Sequence, residues 1–159
     1  MKLPDRPAYT QQDCQLTILE ALEEFYLKNP KAVRHTGDEL RDGFFRSHDM
    51  IHVVFGCDTN IHDEALADMW TIFGTDLGFR NYLKYLGPIQ EDLKDVVIDA
   101  GAFELIWQVI SAIPDVFVVF AQSRKMSKKW HWHDHHKYID RPLNQVRDGL
   151  NIKVIDGLK

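Results

Sequence analysis

Four residues near the middle of the sequence are spaced as ligands of a metal ion. His48 and His52 lie four residues apart in the segment RSHDMIH, and on a helix that spacing places both imidazoles on one face. Asp49 follows His48 directly, where it could join the ligands or orient a histidine from behind. Glu64 comes twelve residues after His52, and an antiparallel return of the chain would bring its carboxylate back to the histidines. The sequence therefore predicts one divalent-metal site at His48, Asp49, His52 and Glu64.

These ligand types narrow the choice of metal without fixing it. Two imidazoles with one or two carboxylates suit zinc, and with open positions they also suit non-haem iron or manganese. We expect a divalent cofactor, with zinc as the first choice. The pattern is not the HExxH of metallopeptidases, because Asp49 stands where the glutamate general base belongs. A structural interpretation also stays open, in which His48 and His52 are interior histidines while Asp49 and Glu64 are charges that favour a helix N-terminus.

A longer stretch around these ligands resembles a known family. The matching residues are His48, Asp49, His52, Gly56, Thr59, Asn60, Ile61 and Glu64. Their order and spacing are similar to the H-D-x-x-H-x11-E signature of the ubiquinone-biosynthesis family often called Coq-four. The agreement extends from Arg46 through Trp70, and the closing PLNQVRDGLNI is similar to the family's Arg-containing final helix. The segment between them matches in helical character only.

The resemblance implies a fold, a site and a reaction. It implies an all-helical protein with a zinc-type site at His48, Asp49, His52 and Glu64, which then also carry the catalytic role. It implies a nearby channel that binds a prenylated phenol or quinone precursor. It also implies contact with other ubiquinone-biosynthesis proteins and peripheral association with the membrane. The reaction is oxidative loss of the ring carboxylate, catalysed by a metal-dependent decarboxylase or lyase, or else presentation of the lipid intermediate to other enzymes. In the enzymatic case Glu64 or Asp49 serves as metal ligand or proton shuttle.

The chain departs from the family pattern at several positions. Asp63 precedes Glu64 where the family usually has glycine, and Asp58 precedes Thr59-Asn60 where it usually has proline. Two additional carboxylates are therefore expected near the ion. The family's N-terminal region is abbreviated, and Ile139-Asp140 stands in place of an aromatic-acidic pair before the last helix. These departures predict a different local geometry or metal preference, and a different contact with the substrate chain or partner.

Two further classes of function compete with this one. In a metal-dependent phosphohydrolase of the HD type, an isolated histidine, a His-Asp doublet and a later aspartate hold the metal, and His35, His48-Asp49 and Asp68 would fill those places. That interpretation leaves His52 and Glu64 without a role. The third class is a non-catalytic lipid-binding scaffold, in which the ion braces two helices and the protein carries prenylated precursors for ubiquinone enzymes.

Composition and charge limit the class of protein. The 159 residues are 45% hydrophobic and 27% charged, which is typical of a single globular domain over residues 1–159. A formal net charge of −5 argues against nucleic acid as a partner. Cys14 and Cys57 have no CxxC spacing, which excludes a cysteine-based zinc site. Because apolar runs are far shorter than the roughly 20 residues of a spanning helix and no apolar signal region is evident, we expect a cytoplasmic protein, peripheral at most on the inner face of the membrane.

Apolar spacing predicts an all-α, single-domain bundle of about six to eight helices, with no internal repeat or linker. The predicted helices run from Thr10 to Asn29, from Ser47 as N-cap to Gly56, from Asn60 to Phe73, from Phe79 to Leu86, from Leu93 to Pro114, through DVFVVFA, and from about Arg141 to Leu150. DVFVVFA alone could form a strand, but we interpret it as a buried helix because no second strand-like run offers its backbone a partner. Trp70, Phe73, Phe103 and Trp107 are expected in the core, although a prenyl-lined channel would use the same residue types.

Two clusters of histidines have competing interpretations. WHWHDHH, residues 130–136, could hold a second metal through His131 and His135 at helical spacing, although a solvated, partly aromatic surface segment is the simpler interpretation. His62 could approach the ion, and the simpler expectation is that it lies exposed in the first turn of its helix.

The basic run SRKMSKK follows DVFVVFA directly. That order would let Phe117 to Phe120 rest in lipid while the lysines meet anionic headgroups. A core helix followed by an ordinary charged loop would give the same sequence. The oligomeric state is open as well, and a homo-oligomer fits the sequence as well as a monomer does.

Overall fold

The protein is described by a computed structural model for residues 6–30, 32, 39–84, 102–133 and 135–155. In these residues the chain is helical and forms no β-strand. The α-helices are α1 Ile18–Lys28, α2 Glu39–Phe55, α3 Ile61–Gly74, α4 residues 78–84, α5 Ala102–Ser123 and α6 Leu143–Leu150, and two 3-10 helices cover Ala8–Thr10 and His135–Tyr138. The predicted all-α bundle is confirmed.

Helix α1 begins at Ile18, eight residues later than the predicted start at Thr10. Its N-cap is Thr17, whose hydroxyl accepts the Glu20 N–H at 3.2 Å while the Glu20 carboxylate accepts the Thr17 N–H at 2.8 Å. This reciprocal capping box satisfies two backbone donors that a helix start leaves unpaired. The T-x-x-E spacing of Thr17 and Glu20 is the signal for this helix start, whereas apolar spacing alone places the start at Thr10.

Helix α2 carries the two predicted metal-binding histidines and begins at Glu39, not after Ser47. Ser47 is buried inside the helix with 3% exposure, so its predicted role as N-cap is wrong. The first turns of α2 contain charged residues and Gly43, so their apolar spacing does not indicate a helix. A 17-residue helix results, and the histidines lie in its C-terminal half.

The turn after α2 reverses the chain at Gly56. This glycine has φ +74°, and a Cβ atom there would lie 2.8 Å from a methyl carbon of Val154. Only glycine adopts this conformation without strain in so little space. Asn60 then caps α3, its side-chain oxygen accepting the N–H of Asp63 at 3.0 Å. The turn and the cap together return α3 alongside α2.

Helix α5 runs continuously through Pro114, where the sequence predicted one helix to end and another to begin. Proline removes one backbone donor from the helix. The helix continues because Asp115, Val119 and Ser123 lie one turn apart and are all buried, at 2%, 0% and 3% exposure. The predicted helical run from Leu93 to Gly101 lies outside the described residues.

The core lies between α1, α2, α3 and α6. Trp70 is fully buried there and Phe73 packs partly against the core, as predicted, whereas the side chains of Phe103 and Trp107 lie outside the described part of the structure. Helix α6 begins at Leu143 with Pro142 as its N-cap, two residues after the predicted start. None of the helices described is long and apolar enough to span a bilayer.

Candidate metal centre

Helices α2 and α3 bring together three of the four predicted ligands. His48, His52 and Glu64 each offer one ligand atom, and these atoms all lie within 4.8 Å of one another. No other group of three potential ligands is this close among the residues that the structure describes. The predicted convergence across the Gly56 turn is therefore present.

The two helices run antiparallel, so that one turn of α2 faces one turn of α3. Nε2 of His52 lies 3.4 Å from Oε2 of Glu64. One turn away, Nε2 of His48 lies 3.3 Å from Oδ1 of Asp68. Two imidazoles on α2 thus face two carboxylates on α3, and each pair is about one ligand–ligand distance apart.

His52 is held in the tautomer that binds a metal. Its Nδ1 lies 3.2 Å from the carbonyl oxygens of both Cys57 and Asp58, which can only accept a hydrogen bond. In the neutral imidazole the proton therefore sits on Nδ1, and the lone pair of Nε2 is directed at Glu64. The ring is 1% exposed and stacks on Phe25 at 5.4 Å between centroids. Its orientation is fixed before any ion binds.

His48 is oriented by packing on one side and by carboxylates on the other. Its ring stacks on Phe44 with centroids 6.0 Å apart and approaches the ring of His52 at 4.9 Å. Burial lowers the pKa of His48, but the nearby carboxylates of Asp68, Glu64 and Asp49 outweigh it, and the net pKa is raised. Binding a cation at this imidazole would displace a proton.

Asp49 does not belong to the group of three. Its Oδ2 accepts a hydrogen bond from the hydroxyl of Tyr26 at 3.1 Å, and the residue is 8% exposed. Burial raises the pKa of this carboxyl to about 6, although His48, His52 and the Tyr26 hydroxyl act in the opposite direction. The structure thus places Asp49 behind the histidines, in contact with α1.

Asp58 and Asp63 were expected to add carboxylates near the ion, but both serve the turn. Oδ1 of Asp58 accepts the N–H of Thr59 at 2.8 Å. Oδ2 of Asp63 accepts the N–H of Asp58 at 2.8 Å and lies 3.4 Å from the guanidinium of Arg6. Asp63 is 5% exposed. Both residues support the loop whose carbonyls orient His52.

His62 is neither at the ion nor simply exposed. Its Nδ1 lies 3.1 Å from Asp63 and its Nε2 lies 3.0 Å from the buried carboxylate of Asp115 on α5. The imidazole connects α3 to α5, which the expectation of an exposed first-turn residue missed. Nothing in its sequence neighbourhood identifies Asp115 as its partner, because the two residues are 53 positions apart.

Asp68 and Tyr82 are the residues at this centre that the ligand prediction missed. Asp68 lies one turn after Glu64 on α3, and burial together with this carboxylate raises the pKa of the Tyr82 hydroxyl on α4. A signal was present, because the spacing of Glu64 and Asp68 repeats that of His48 and His52. When two helices pack antiparallel, two four-residue spacings can face each other, so that His52 faces Glu64 and His48 faces Asp68.

The centre is partly open to solvent. The side chain of Glu64 is 42% exposed and that of Asp68 is 40% exposed, against 15% for His48 and 2% for His52. The nitrogen ligands are therefore buried and the oxygen ligands line the outer side. Such a set fits a divalent cation, since the more buried imidazoles and the solvent-facing carboxylates supply borderline and hard donors together.

The WHWHDHH segment is not arranged as a helical metal site. Residues 131–133 are not helical, so the four-residue spacing of His131 and His135 does not place their rings on one helix face. Nδ1 of His131 lies 2.8 Å from Oδ2 of Asp76. The prediction of a solvated surface segment holds for the exposed His131 and His133 but not for Trp130 and Trp132, which are each 1% exposed.

The ligand set of the HD-type alternative is only partly described. His48 and Asp68 are adjacent, as that alternative requires. His35 lies outside the described residues. His52 and Glu64, which the HD-type interpretation leaves unused, form the second facing pair of the centre.

Comparison of the chain with protein-family models, with curated proteins and with solved structures found no match. The likeness to the ubiquinone-biosynthesis family therefore rests on the residues quoted from the sequence, and it stays a prediction.

Proposed function

We propose that this protein binds a divalent cation at His48, His52 and Glu64 and acts on, or presents, a prenylated ring intermediate of ubiquinone biosynthesis. The observation that carries the proposal is the convergence of the three ligand atoms within 4.8 Å. Zinc is the first candidate, and iron or manganese fits the same donors. The resemblance in the H-D-x-x-H-x11-E residues supplies the substrate class.

In the catalytic version of this proposal the ring exchanges its carboxylate for a hydroxyl and releases CO2. That exchange is a two-electron oxidation, in which water would supply the hydroxyl oxygen and dioxygen, as the oxidant, would be reduced to hydrogen peroxide. The bound cation would supply Lewis acidity toward the ring phenolate or carboxylate. Glu64 would hold the cation, and its exposed side would face the entering ring.

Asp49 would hold a proton near the reaction in that version. In the metal-free protein burial raises the pKa of its carboxyl, which favours a group that can take up and release a proton. Tyr26 fixes the orientation of the carboxyl through its hydrogen bond. The proposed roles are therefore a ligand for Glu64 and a proton shuttle for Asp49.

Two other functions remain candidates. The contact of 3.3 Å between His48 and Asp68 favours an HD-type phosphohydrolase, for which release of phosphate from nucleotides is the test. A non-catalytic scaffold that carries prenylated precursors to other ubiquinone enzymes fits the ligand geometry equally well, since a structural ion can brace α2 against α3.

We also propose that the protein meets the membrane through the outer face of α5. Ile113, Phe117 and Phe120 follow one stripe of this helix and are 48%, 69% and 43% exposed. The stripe leads directly into the exposed basic residues of the SRKMSKK run, although the whole chain is acidic. Apolar residues next to basic ones fit an anionic bilayer surface, from which a prenylated substrate would be drawn.

The central experiment combines elemental analysis of the purified protein with mass spectrometry of the lipids that co-purify. We expect about one divalent ion per chain and a prenylated ring compound in the wild-type protein. His52→Ala should lose the ion and, in a strain that depends on this protein, lower the ubiquinone level. His131→Ala is the matched control, since this exposed histidine pairs with Asp76 and is not one of the three converging ligands.

The outcomes separate the candidate functions. A prenylated ring acid that accumulates with His52→Ala favours catalysis, whereas lost lipid binding without accumulated acid favours the scaffold. Nucleotide turnover that disappears with the ion favours the HD type. A His52→Ala protein that keeps both its metal and the normal ubiquinone level would falsify the proposal.

A further inference from the structure

The centre has a fourth side chain placed like a ligand. On α3, Glu64 and Asp68 are one turn apart, and on α2, His48 and His52 are one turn apart. The distances across the two pairs are nearly equal, 3.4 Å for His52 to Glu64 and 3.3 Å for His48 to Asp68. Asp68 therefore faces His48 at nearly the same distance and in the same arrangement as Glu64 faces His52.

From this symmetry we infer that Asp68, and not Asp49, is the fourth protein ligand of the metal. The inference rests on the proposed function only in that a divalent ion binds at His48, His52 and Glu64. It assigns the Nε2 atoms of both histidines and one oxygen from each α3 carboxylate to the ion.

The distances agree with this assignment. Two ligand atoms that each lie about 2.0–2.1 Å from a tetrahedral zinc ion are about 3.3–3.4 Å apart. Both facing pairs in the structure have that separation. Asp68 itself lies outside the group of three atoms within 4.8 Å, so its carboxylate must rotate toward Glu64 when the ion binds.

The surroundings of the two aspartates decide between them. Asp68 has 40% of its side chain exposed, so little packing opposes this rotation. Asp49 is 8% exposed and its carboxylate is directed to the hydroxyl of Tyr26 on α1. Moving Asp49 to the ion would break that bond and leave a partly buried hydroxyl without its acceptor.

Tyr82 supports Asp68 in the way that outer residues usually support a metal-binding carboxylate. Burial and then the nearby Asp68 carboxylate raise the pKa of the Tyr82 hydroxyl, and the residue is 6% exposed. Carboxylates that bind metals commonly accept a second hydrogen bond from an outer residue, and this hydroxyl could donate one to Asp68 once the carboxylate has turned to the ion. The tyrosine on α4 would thus be a positioning residue of the centre.

Four protein ligands change what the ion can do. A tetrahedral zinc with four protein ligands is closed and structural, whereas iron or manganese accepts further ligands beyond four. Two carboxylates also balance the charge of a divalent ion, while one carboxylate leaves a net positive charge. If Asp68 is a ligand, catalysis at this centre favours a metal with more than four coordination positions.

Cobalt(II) titration of the full chain tests the assignment, because the intensity of the visible bands reports the number and type of ligands. Asp68→Asn should weaken cobalt binding about 100-fold or more, at or above the upper end for an outer partner, and should change the band positions and intensities. Asp49→Asn should leave the bands as in the wild type, with only the smaller loss of affinity that removing a nearby, non-coordinating charge causes. Tyr82→Phe should weaken binding roughly 10-fold with unchanged bands.

Each result either supports or overturns the assignment. Circular dichroism and urea unfolding of the metal-free variants test whether they fold. Glu23→Gln, on the exposed face of α1, is the control that removes one carboxylate away from the proposed ligands. If Asp68→Asn weakens binding but keeps the wild-type bands, Asp68 only orients His48 and is not a ligand. If Asp49→Asn changes the bands instead, the family-like assignment is right. If the wild type binds no cobalt, the proposed metal function itself fails.

Discussion

Arg147 on α6 donates a hydrogen bond from Nε to the carbonyl oxygen of Val54, 2.9 Å away, at the end of helix α2, which carries His48 and His52. Its Nη2 donates to the carbonyl of Val53, also at 2.9 Å. These carbonyls are among the last four of α2, which have no partner within the helix. The guanidinium therefore caps α2 one turn beyond His52, and a cation there also favours the helix dipole.

The same guanidinium ties α2 to the N-terminal segment. It donates to the carbonyl of Tyr9 at 2.6 Å and to that of Gln11, and Arg147 is fully buried. Burial lowers the pKa of Arg147 to about 10, so the side chain stays charged at neutral pH. Four carbonyl oxygens depend on this one residue, three in buried contacts and that of Gln11 in a partly buried one.

Arg147→Met is expected to destabilise the protein by roughly 3–5 kcal/mol, because it leaves several buried carbonyls without a donor. Arg147→Lys should recover only part of the loss, since one ammonium cannot replace the planar fork of donors. The midpoint of urea unfolding with an unchanged slope measures both effects. A loss below about 1 kcal/mol for Arg147→Met would show that water replaces the guanidinium.

Gly56 gives a second prediction, with a matched glycine in the same helix region. Gly56→Ala should destabilise the fold by about 1–3 kcal/mol, because alanine resists the positive φ and its Cβ meets Val154. It should also weaken metal binding, since the turn positions the carbonyls that orient His52. Zinc titration and urea unfolding together measure these effects.

Gly43→Ala is the control for that substitution. Gly43 lies inside α2, where an added Cβ meets no atom within 4 Å. Alanine should therefore stabilise the helix by about 0.5–1 kcal/mol and leave zinc binding unchanged. Equal effects of the two substitutions would mean that the Gly56 turn has no special role.

The metal-binding pairs show how much of the site the sequence could predict. The spacing of His48 and His52 on a helix and the glycine turn before Glu64 are local features, and the structure places all three ligands together. Asp68 required the register between two helices, which follows only when both spacings are aligned. Spacing along the sequence therefore predicts ligands that share one helix, whereas ligands on a second helix can be predicted only once the pairing of the two helices is known.

The fold was predictable in kind but less so in its boundaries. Thr17 and Pro114 show the two kinds of error. The helix capped by Thr17 begins later than the apolar spacing predicts, and α5 continues through Pro114, where the sequence predicts a helix end. Arg147 and Trp132 show a different limit. Their burial depends on carbonyls and a carboxylate more than 50 residues away, which no local pattern contains.

Asp76 should make stability depend on pH at the acid end. Oδ1 accepts the N–H of Trp132 at 2.8 Å and Oδ2 pairs with His131. Burial raises the pKa of Asp76, but these hydrogen bonds outweigh it, and the net pKa is lowered from 3.8. The folded protein therefore binds this proton less tightly than the unfolded chain, so the contribution is present above pH 3.8 and is lost as the pH falls below it.

Asp76→Ala should consequently cost roughly 1 kcal/mol at pH 7, since the carboxylate is half exposed, and less near pH 3. Urea unfolding at both pH values measures the difference. Asp140→Ala, at an exposed turn residue, serves as the control and should change little at either pH. A loss from Asp76→Ala that grows toward low pH would contradict the assigned direction of the pKa.

The outer face of α5 gives the last prediction, which concerns membrane contact. Phe117 is 69% exposed, and Lys125 and Lys128 lie exposed just beyond the helix. Phe117→Ser should weaken binding to phosphatidylserine vesicles about tenfold or more, because a phenyl ring inserted in lipid contributes roughly 1.5–3 kcal/mol. Each Lys→Glu change at Lys125 or Lys128 should weaken it by at least about fivefold, since one basic residue near an anionic surface contributes about 1 kcal/mol.

Sedimentation with vesicles measures this binding, and phosphatidylcholine vesicles separate the two contributions. Removing anionic lipid should abolish the effect of the lysine variants while keeping that of Phe117→Ser. Leu27→Ser is the matched control, because Leu27 on α1 is 83% exposed and the lysine that follows it in the helix, Lys28, pairs with Glu24. If Leu27→Ser and Phe117→Ser reduce vesicle binding equally, general surface hydrophobicity explains the binding and the α5 face is not the docking surface.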